Sequence, residues 1–277
     1  MILVSGATGN VGGELARRLA ASGTAVRALV RDPATSEPPA GAEPVAGDLD
    51  HPESLVGALK GVDGVFLLSG YADMPGLLAE IDRAGVGKVV LLSGSAVLAT
   101  DTKNVISRYM QESERAVRES GVPWTFLRPS GFMSNTLQWA PQIRAGGDVV
   151  RAPFPDVRVA MVDPYDIAAV AAEALLGDGH EGNIYHPTGP EALLPADRVR
   201  VLGEVLGREL RFEGQTHAEA REDMIGSMPV EYVEAFFGFY ADGKLDESHV
   251  LPTVREVTGN EPRTFAQWAA AHADAFR

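Results

Sequence analysis

Met1-Ile2-Leu3-Val4-Ser5-Gly6-Ala7-Thr8-Gly9-Asn10-Val11-Gly12-Gly13 decides how this chain is read. The apolar start gives a buried strand. A glycine-spaced turn follows, and Val11 to Ala21 then carries a helix-forming pattern. A strand, a glycine-rich turn and a helix start together make the geometry that holds a dinucleotide pyrophosphate. Gly6 permits the tight turn, Gly9 removes a side chain where backbone must approach phosphate, and Gly12 lets the helix lie close on the sheet. The helix N-terminus adds free N–H groups and the positive end of the peptide dipole. The spacing is G-x-x-G-x-x-G rather than G-x-G-x-x-G, and a glycine triplet alone says little. Its place between strand and helix carries the inference. Thr8, Asn10 and Val11 share the turn and are candidate cofactor contacts with Gly6 and Gly9.

The second apolar run, Ala25 to Val30, ends in Arg31-Asp32-Pro33. An acidic residue at the end of this strand suits the ribose 2′-hydroxyl of NAD, whereas an arginine suits a 2′-phosphate. Arg31 therefore favours NADP(H) over NAD(H). If Asp32 faces the ribose and Arg31 faces solvent, the preference reverses.

Composition bounds the rest. The 277 residues fit one large α/β domain with a smaller lobe, and a hydrophobic content of 45% is ample for a core. A formal net charge of −14 with no basic run argues against nucleic-acid binding, which needs clustered Lys and Arg. With no Cys, disulfides and cysteine metal sites are excluded, and the 6 His residues show no ligand spacing, so no metal site is expected. Met1 leads straight into the first strand and no apolar run approaches a membrane span, so a cytoplasmic protein with no membrane contact is the expectation.

Strand and helix patterns alternate. Val45 to Asp48 reads as a third strand after an exposed loop from Thr35 to Pro44, and Pro52 to Lys60 reads as a helix. Gly64 to Leu68, Lys88 to Leu92 and Trp124 to Leu127 are further strands. Met74 to Ala84 and Ser107 to Ser120 are helices. This order implies right-handed βαβ crossovers and a parallel sheet. Beyond Pro129, Phe132 to Arg144 reads as helix and loop and Val157 to Met161 as a short strand. Asp163 caps a helix with Pro164 in its first turn, and Asn183 to His186 forms a last strand. The expectation is a Rossmann-type, doubly wound parallel sheet with a smaller C-terminal α/β lobe. Residues 1–150 form the NADP-binding domain, 157–186 complete its sheet, and 187–277 mainly form a lobe that covers the substrate.

Together these residues resemble the atypical short-chain dehydrogenase/reductase superfamily, close to its NmrA-like and type 2 NADPH:quinone oxidoreductase branch. The likeness rests on Val4 to Gly12, Val30 to Pro33, Gly47 to Asp50, Leu91 to Ser95, Leu127 to Asn135, Asp166 to Ala168 and Val257 to Phe265. It implies that Asp48 and Leu49 lie against the adenine and that Leu68, Ser69 and Gly70 pass beside the ribose and nicotinamide. It further implies that Ser93 to Ser95 end a strand below the nicotinamide, and that Pro129, Gly131 and Phe132 close over its far side.

Typical reductases of the superfamily carry Tyr-x-x-x-Lys on the helix after the fifth strand, where the lysine lowers the tyrosine pKa. In this chain, a register anchored on Glu114 puts Ile106 and Met110 in the two places; one anchored on Tyr109 puts Ser113 where lysine belongs. Tyr109 and Ser95 remain catalytic candidates without an activated tyrosine. Met133, Trp139, Phe236 and Tyr240 are candidate substrate-pocket residues. Phe132, Met133, Trp139 and Phe154 are candidates to line an apolar pocket, while Phe236 and Tyr240 belong to a cluster with Tyr232, Phe237 and Phe239 that suits a flat ring. His186 and His217 could donate protons but show no partner. The expected function is delivery of hydride from NADPH to a quinone or similar electron-poor aromatic or carbonyl compound. A non-catalytic NADP(H) sensor acting on a protein partner, or a tailoring enzyme for a polyketide-like aromatic, are alternatives. A homodimer is one candidate assembly, and the sequence does not report the oligomeric state.

Overall fold

The apolar runs become parallel strands. The computed structural model describes residues 1–101 and 103–277. In it β1 (Ile2–Val4), β2 (Val26–Val30), β3 (Ala42–Ala46), β4 (Gly64–Leu68), β5 (Lys88–Leu92) and β6 (Trp124–Leu127) alternate with α1 (Asn10–Ala21), α2 (Met74–Arg83) and α3 (Val105–Glu119). A second part of the chain follows: α4 (Ala140–Arg144), β7 (Val149–Ala152), α5 (Pro164–Leu176), β8 (Ile184–Tyr185), α6 (Pro195–Leu206) and β9 (Arg211–Gly214). It ends in α7 (His217–Ile225), α8 (Val230–Tyr240), α9 (Thr253–Thr258) and α10 (Phe265–Ala271). Among the described residues the main sheet has the order β3-β2-β1-β4-β5-β6-β8, and every pair in it is parallel.

Strand alternation sorts the core onto two faces. Ile2 and Val4 point with Phe66 and Val90 into one layer, shared with α1 and α5. Leu3 points with Val65, Leu67 and Val89 into the other, shared with Leu77 and Ile81 of α2. Both faces are covered, which is why these strands read as unbroken apolar runs. Asp163 caps α5 by accepting from Tyr165 N at 2.9 Å, with Pro164 in the first turn. Asp166 accepts from Arg263 N at 2.7 Å, and burial pushes its carboxyl up to about 6.

Four local expectations change. The third strand is Ala42–Ala46, so Ala42 to Pro44 leaves the expected loop. This strand is an edge, half exposed, and Glu43-Pro44 hides it from an apolar pattern. Pro52 starts only a short 3₁₀ turn to Val56, although Leu55 and Leu59 are both buried as their spacing implies. Val157 to Met161 is not a strand and does not complete the main sheet. It is tied through a single bridge from Val159 to Leu193 and through Ala160 N donating to the Glu247 carbonyl at 2.7 Å. Its neighbours are loops, so no ladder can continue. The main sheet is completed by β8 alone, while β7, unforeseen, pairs in parallel with β9 in a small second sheet. No helix among the described residues is long and apolar enough to cross a membrane.

One buried ion pair locks α3 to the carboxyl ends of the strands. Glu114 is 1% exposed and takes both Arg128 donors, Nε at 2.8 Å and Nη2 at 2.6 Å. Ser93 Oγ donates to it at 2.8 Å, and Arg118, on the rim, at 3.2 Å. Glu114→Ala leaves Arg128 buried without its partner and should cost about 3–5 kcal/mol in urea unfolding. Arg118→Ala, which removes the exposed contact, should cost under about 1 kcal/mol. Equal losses from the two would contradict the assignment.

Candidate dinucleotide and substrate site

The phosphate turn is built by contact distances that only glycine allows. Gly6 sits at φ +62°, and a Cβ on Gly12 would lie 2.3 Å from the Gly6 carbonyl oxygen. Gly9 N donates back to Gly6 O at 2.9 Å, and Gly9 ends the turn as the N-cap of α1 without a side-chain hydrogen bond. The first-turn N–H groups of α1, from Asn10 on, have no intrahelical partner. Thr8, Gly9 and Asn10 are exposed at the mouth, and Val11 is buried beneath them. An anion fits this cradle: donors point outward, and the space beside Gly9 is free of side chain. Asn10 Nδ2 donates to Ser134 Oγ at 3.2 Å, joining the turn to the segment after β6.

From the turn a cleft of about 480 Å³ runs along the ends of β2 and β3, with Arg31, Asp48, Leu49 and Tyr71 among its walls. Asp32 is held in its own turn, accepting from Ala34 N at 2.9 Å and from Thr35 Oγ1 at 3.1 Å. Arg31 is exposed on the cleft wall. Asp48 accepts from Asp50 N at 3.0 Å.

Toward the other end of the strands, Gly70 has φ +96°, and its N–H donates to Ser113 Oγ at 3.0 Å. Ser113 in turn donates to the Tyr109 carbonyl at 2.8 Å. Thus the residue one turn beyond Tyr109 is bonded to backbone and supplies no charge. Burial, then Tyr232, pushes the Tyr109 phenol up, the opposite of activation; its ring packs 3.1 Å from where a Gly70 Cβ would stand. Leu68 is half-buried, with its N–H held by Ser5 Oγ at 3.1 Å, and Ser69 follows it, also half-buried. Ser93 gives its hydroxyl to Glu114 and its N–H to the Leu127 carbonyl at 2.8 Å, so neither group is free.

Ser95 has a partner the sequence did not signal. Its N–H donates to Pro129 O at 3.0 Å, and its Oγ donates to Glu247 Oε1. Tyr240 Oη donates to Glu247 Oε2 at 2.8 Å. Glu247 is 8% exposed. Burial pushes its carboxyl up, against the downward pull of bonds from Ser95, Tyr240 and the Gly131 backbone. Nothing in Asp246-Glu247-Ser248-His249 marks this residue among the 38 acidic ones. It is 152 residues from Ser95 along the chain. Gly131 lies beside it, where a Cβ would stand 3.8 Å from Glu247 Oε2, and Gly131 O accepts from Val162 N at 3.0 Å.

A second cleft, of about 510 Å³, is walled by Trp139, Phe154, Phe236, Met224 and Met228, with Gln142 among its polar groups. Phe236 thus faces a cavity. Met133, in contrast, is 2% exposed, packed in a core with Val199 and Trp268. Tyr240 lies behind Phe154, ring centroids 5.3 Å apart. Phe237 and Phe239 are core residues. His217 packs edge-on against Phe237 at 5.6 Å, and burial pushes the His186 imidazole down.

The NmrA-like family model matches residues 1–269. The chain is 46% identical to the (4-alkanoyl-5-oxo-2,5-dihydrofuran-3-yl)methyl phosphate reductase of Streptomyces griseus, an alignment covering 100% of this chain and 99% of that protein. It is 39% identical to the NAD(P)H azoreductase of Xenophilus azovorans, again over 100% and 99%. Its fold matches that of an NADPH-dependent quinone oxidoreductase from Escherichia coli with a TM-score of 0.81, at 23% identity, over 98% of this chain and 99% of the other. With this sequence match across nearly its whole length and this fold, the chain belongs to the NmrA-like family.

Proposed function

We propose that this chain is an NAD(P)H-dependent reductase that prefers NADPH and acts on a small electron-poor acceptor such as a quinone, an azo compound or a conjugated furanone. The observation that carries the reading is the Gly6–Gly12 approach, which leaves the first turn of α1 open to an anion. The names of the relatives supply the acceptor classes: a furanone phosphate, an azo compound and a quinone.

Gly6, Thr8, Gly9, Asn10 and Val11 hold the pyrophosphate. Arg31 pairs with the 2′-phosphate, since Asp32 is committed to its own turn and leaves the ribose to arginine. Asp48 and Leu49 would hold the adenine, Leu68, Ser69 and Gly70 the ribose, and Pro129, Gly131, Phe132 and Ser93 the nicotinamide. The bound nicotinamide supplies hydride, and the protein's part is orientation and exclusion of side reactions.

Ser95 donates a proton to the reduced acceptor. Its present bond to Glu247 reverses in that step, with the protonated Glu247 carboxyl resupplying Ser95 Oγ. Burial favours the protonated carboxyl, so the reservoir is filled at a higher pH than an exposed Glu allows. A regulatory NADP(H) sensor is the second reading, favoured by the raised Tyr109 phenol and the neutral Ser113 beside it.

Three tests follow from these roles. NADPH and NADH consumption with quinone, azo and furanone acceptors should be fast and NADPH-selective. Arg31→Ala should weaken NADPH binding about 10-fold or more, with little effect on NADH, as expected for loss of a charged hydrogen bond. No turnover with NADPH demonstrably bound would favour the sensor; equal losses for both nucleotides would refute Arg31. Wild-type kcat should fall as pH rises through the Glu247 titration, because the proton source empties. Glu247→Gln should lower kcat and lose that limb while its NADPH Kd is unchanged. The same limb persisting in the Gln variant would exclude Glu247 as the source.

A further inference from the structure

Beside the aromatic cleft lies a cation with no counter-charge. Arg198 of α6 is 8% exposed, and its Nε is sealed and without a hydrogen-bond partner. Among the described residues no carboxylate forms an ion pair with it. The ionisable group that acts on it is Tyr240, whose phenol is raised well above its ordinary value and is therefore neutral. Burial pulls the Arg198 guanidinium itself down to about 10. Nearby, Arg151 is matched with Glu213 and Glu219, Arg208 with Asp148, and Arg200 with Glu204, while Arg144 and Arg211 are exposed to solvent.

A buried charge is costly unless it is paired and hydrogen-bonded. Trp139 answers part of this cost, since the guanidinium carbon lies 4.9 Å from its ring centroid. A ring face does not satisfy the N–H edge, which carries five donors and no acceptor. The same Trp139 is a wall of the 510 Å³ cleft, and Phe154, another wall, packs 5.3 Å from Tyr240. The unmatched donors therefore sit among the residues that shape the cleft, behind its apolar lining.

We propose that Arg198 is an anion-binding subsite behind the Trp139 wall of this cleft, and that the substrate carries an oxyanion, a phosphoester or carboxylate, received on the guanidinium edge between Trp139 and Tyr240. The planar fork of arginine matches two oxygens of either group, which lysine does not reproduce. The substrate part rests on the reductase reading above. The binding of an anion does not, and it is measured separately.

The test is thermal unfolding of the full chain, with NADP+ present to cover the glycine cradle. Phenyl phosphate and benzoate are the probes, phenol the neutral control, and inorganic phosphate the test for a free anion. In the wild type, phenyl phosphate or benzoate should raise the midpoint and phenol should not. Arg198→Met should melt higher than wild type without ligand, because an unpaired buried charge is gone. It should lose about 10-fold or more of its affinity for the anionic probe while NADP+ binding is unchanged. Arg198→Lys, which keeps the charge, should retain part of the response if the Met variant fails to fold. An unchanged response in both variants, or no response of the wild type to either probe, overturns the subsite. Stabilisation by inorganic phosphate as strong as by phenyl phosphate overturns the substrate assignment. Anion binding that survives without any NADPH turnover counts against the reductase reading alone.

Discussion

The close approach of α1 to the turn after β1 is the constraint on which the site depends. A Cβ at Gly12 would stand 2.3 Å from the Gly6 carbonyl, so the helix can start where it does only because that atom is missing. Its axis then points the open first turn out of the sheet edge. Leu15 and Leu19 on the same helix are completely buried and fix it against the sheet and α5. The anion cradle is thus set by core packing rather than by a flexible loop, and preorganised donors lose little on binding.

At the far end of the strands the same logic uses charge. Glu114 joins α3 to Ser93 and Arg128, fixing the ends of β5 and β6 from within. Two residues beyond Ser93, Ser95 turns to a different carboxyl, Glu247, brought in by the segment after α8. Two buried carboxyls therefore flank one strand end with different partners. Glu114 has a bidentate arginine, whereas Glu247 has only neutral donors and is driven toward its protonated form. In the proposed reaction, that difference in partners separates an anchor from a proton source.

Much of this was legible in the chain. Strands covered on both faces, such as Gly64 to Leu68, show as continuous apolar runs, and Asp163-Pro164 marks a helix start by its own local chemistry. Edge and accessory strands were not legible: Glu43-Pro44 interrupts β3, and Val149 to Ala152 is short and follows two glycines. The turn residues Gly6, Gly9 and Gly12 could be found because the turn they build is local. Glu247 and Arg198 could not. Arg198 and Arg200 stand two apart on one helix; Arg200 pairs with Glu204 in solvent, while Arg198 turns into the core. Only tertiary packing distinguishes them.

The most direct measurement is single-turnover oxidation of NADPH carrying deuterium at one or the other C4 position, mixed with an acceptor the enzyme reduces. A cofactor held by the Gly6–Val11 cradle with one nicotinamide face toward the acceptor should give a primary isotope effect from one C4 position and none from the other. Absence of an effect from both positions, with NADPH oxidation still rate-limiting, would contradict direct hydride transfer at this site.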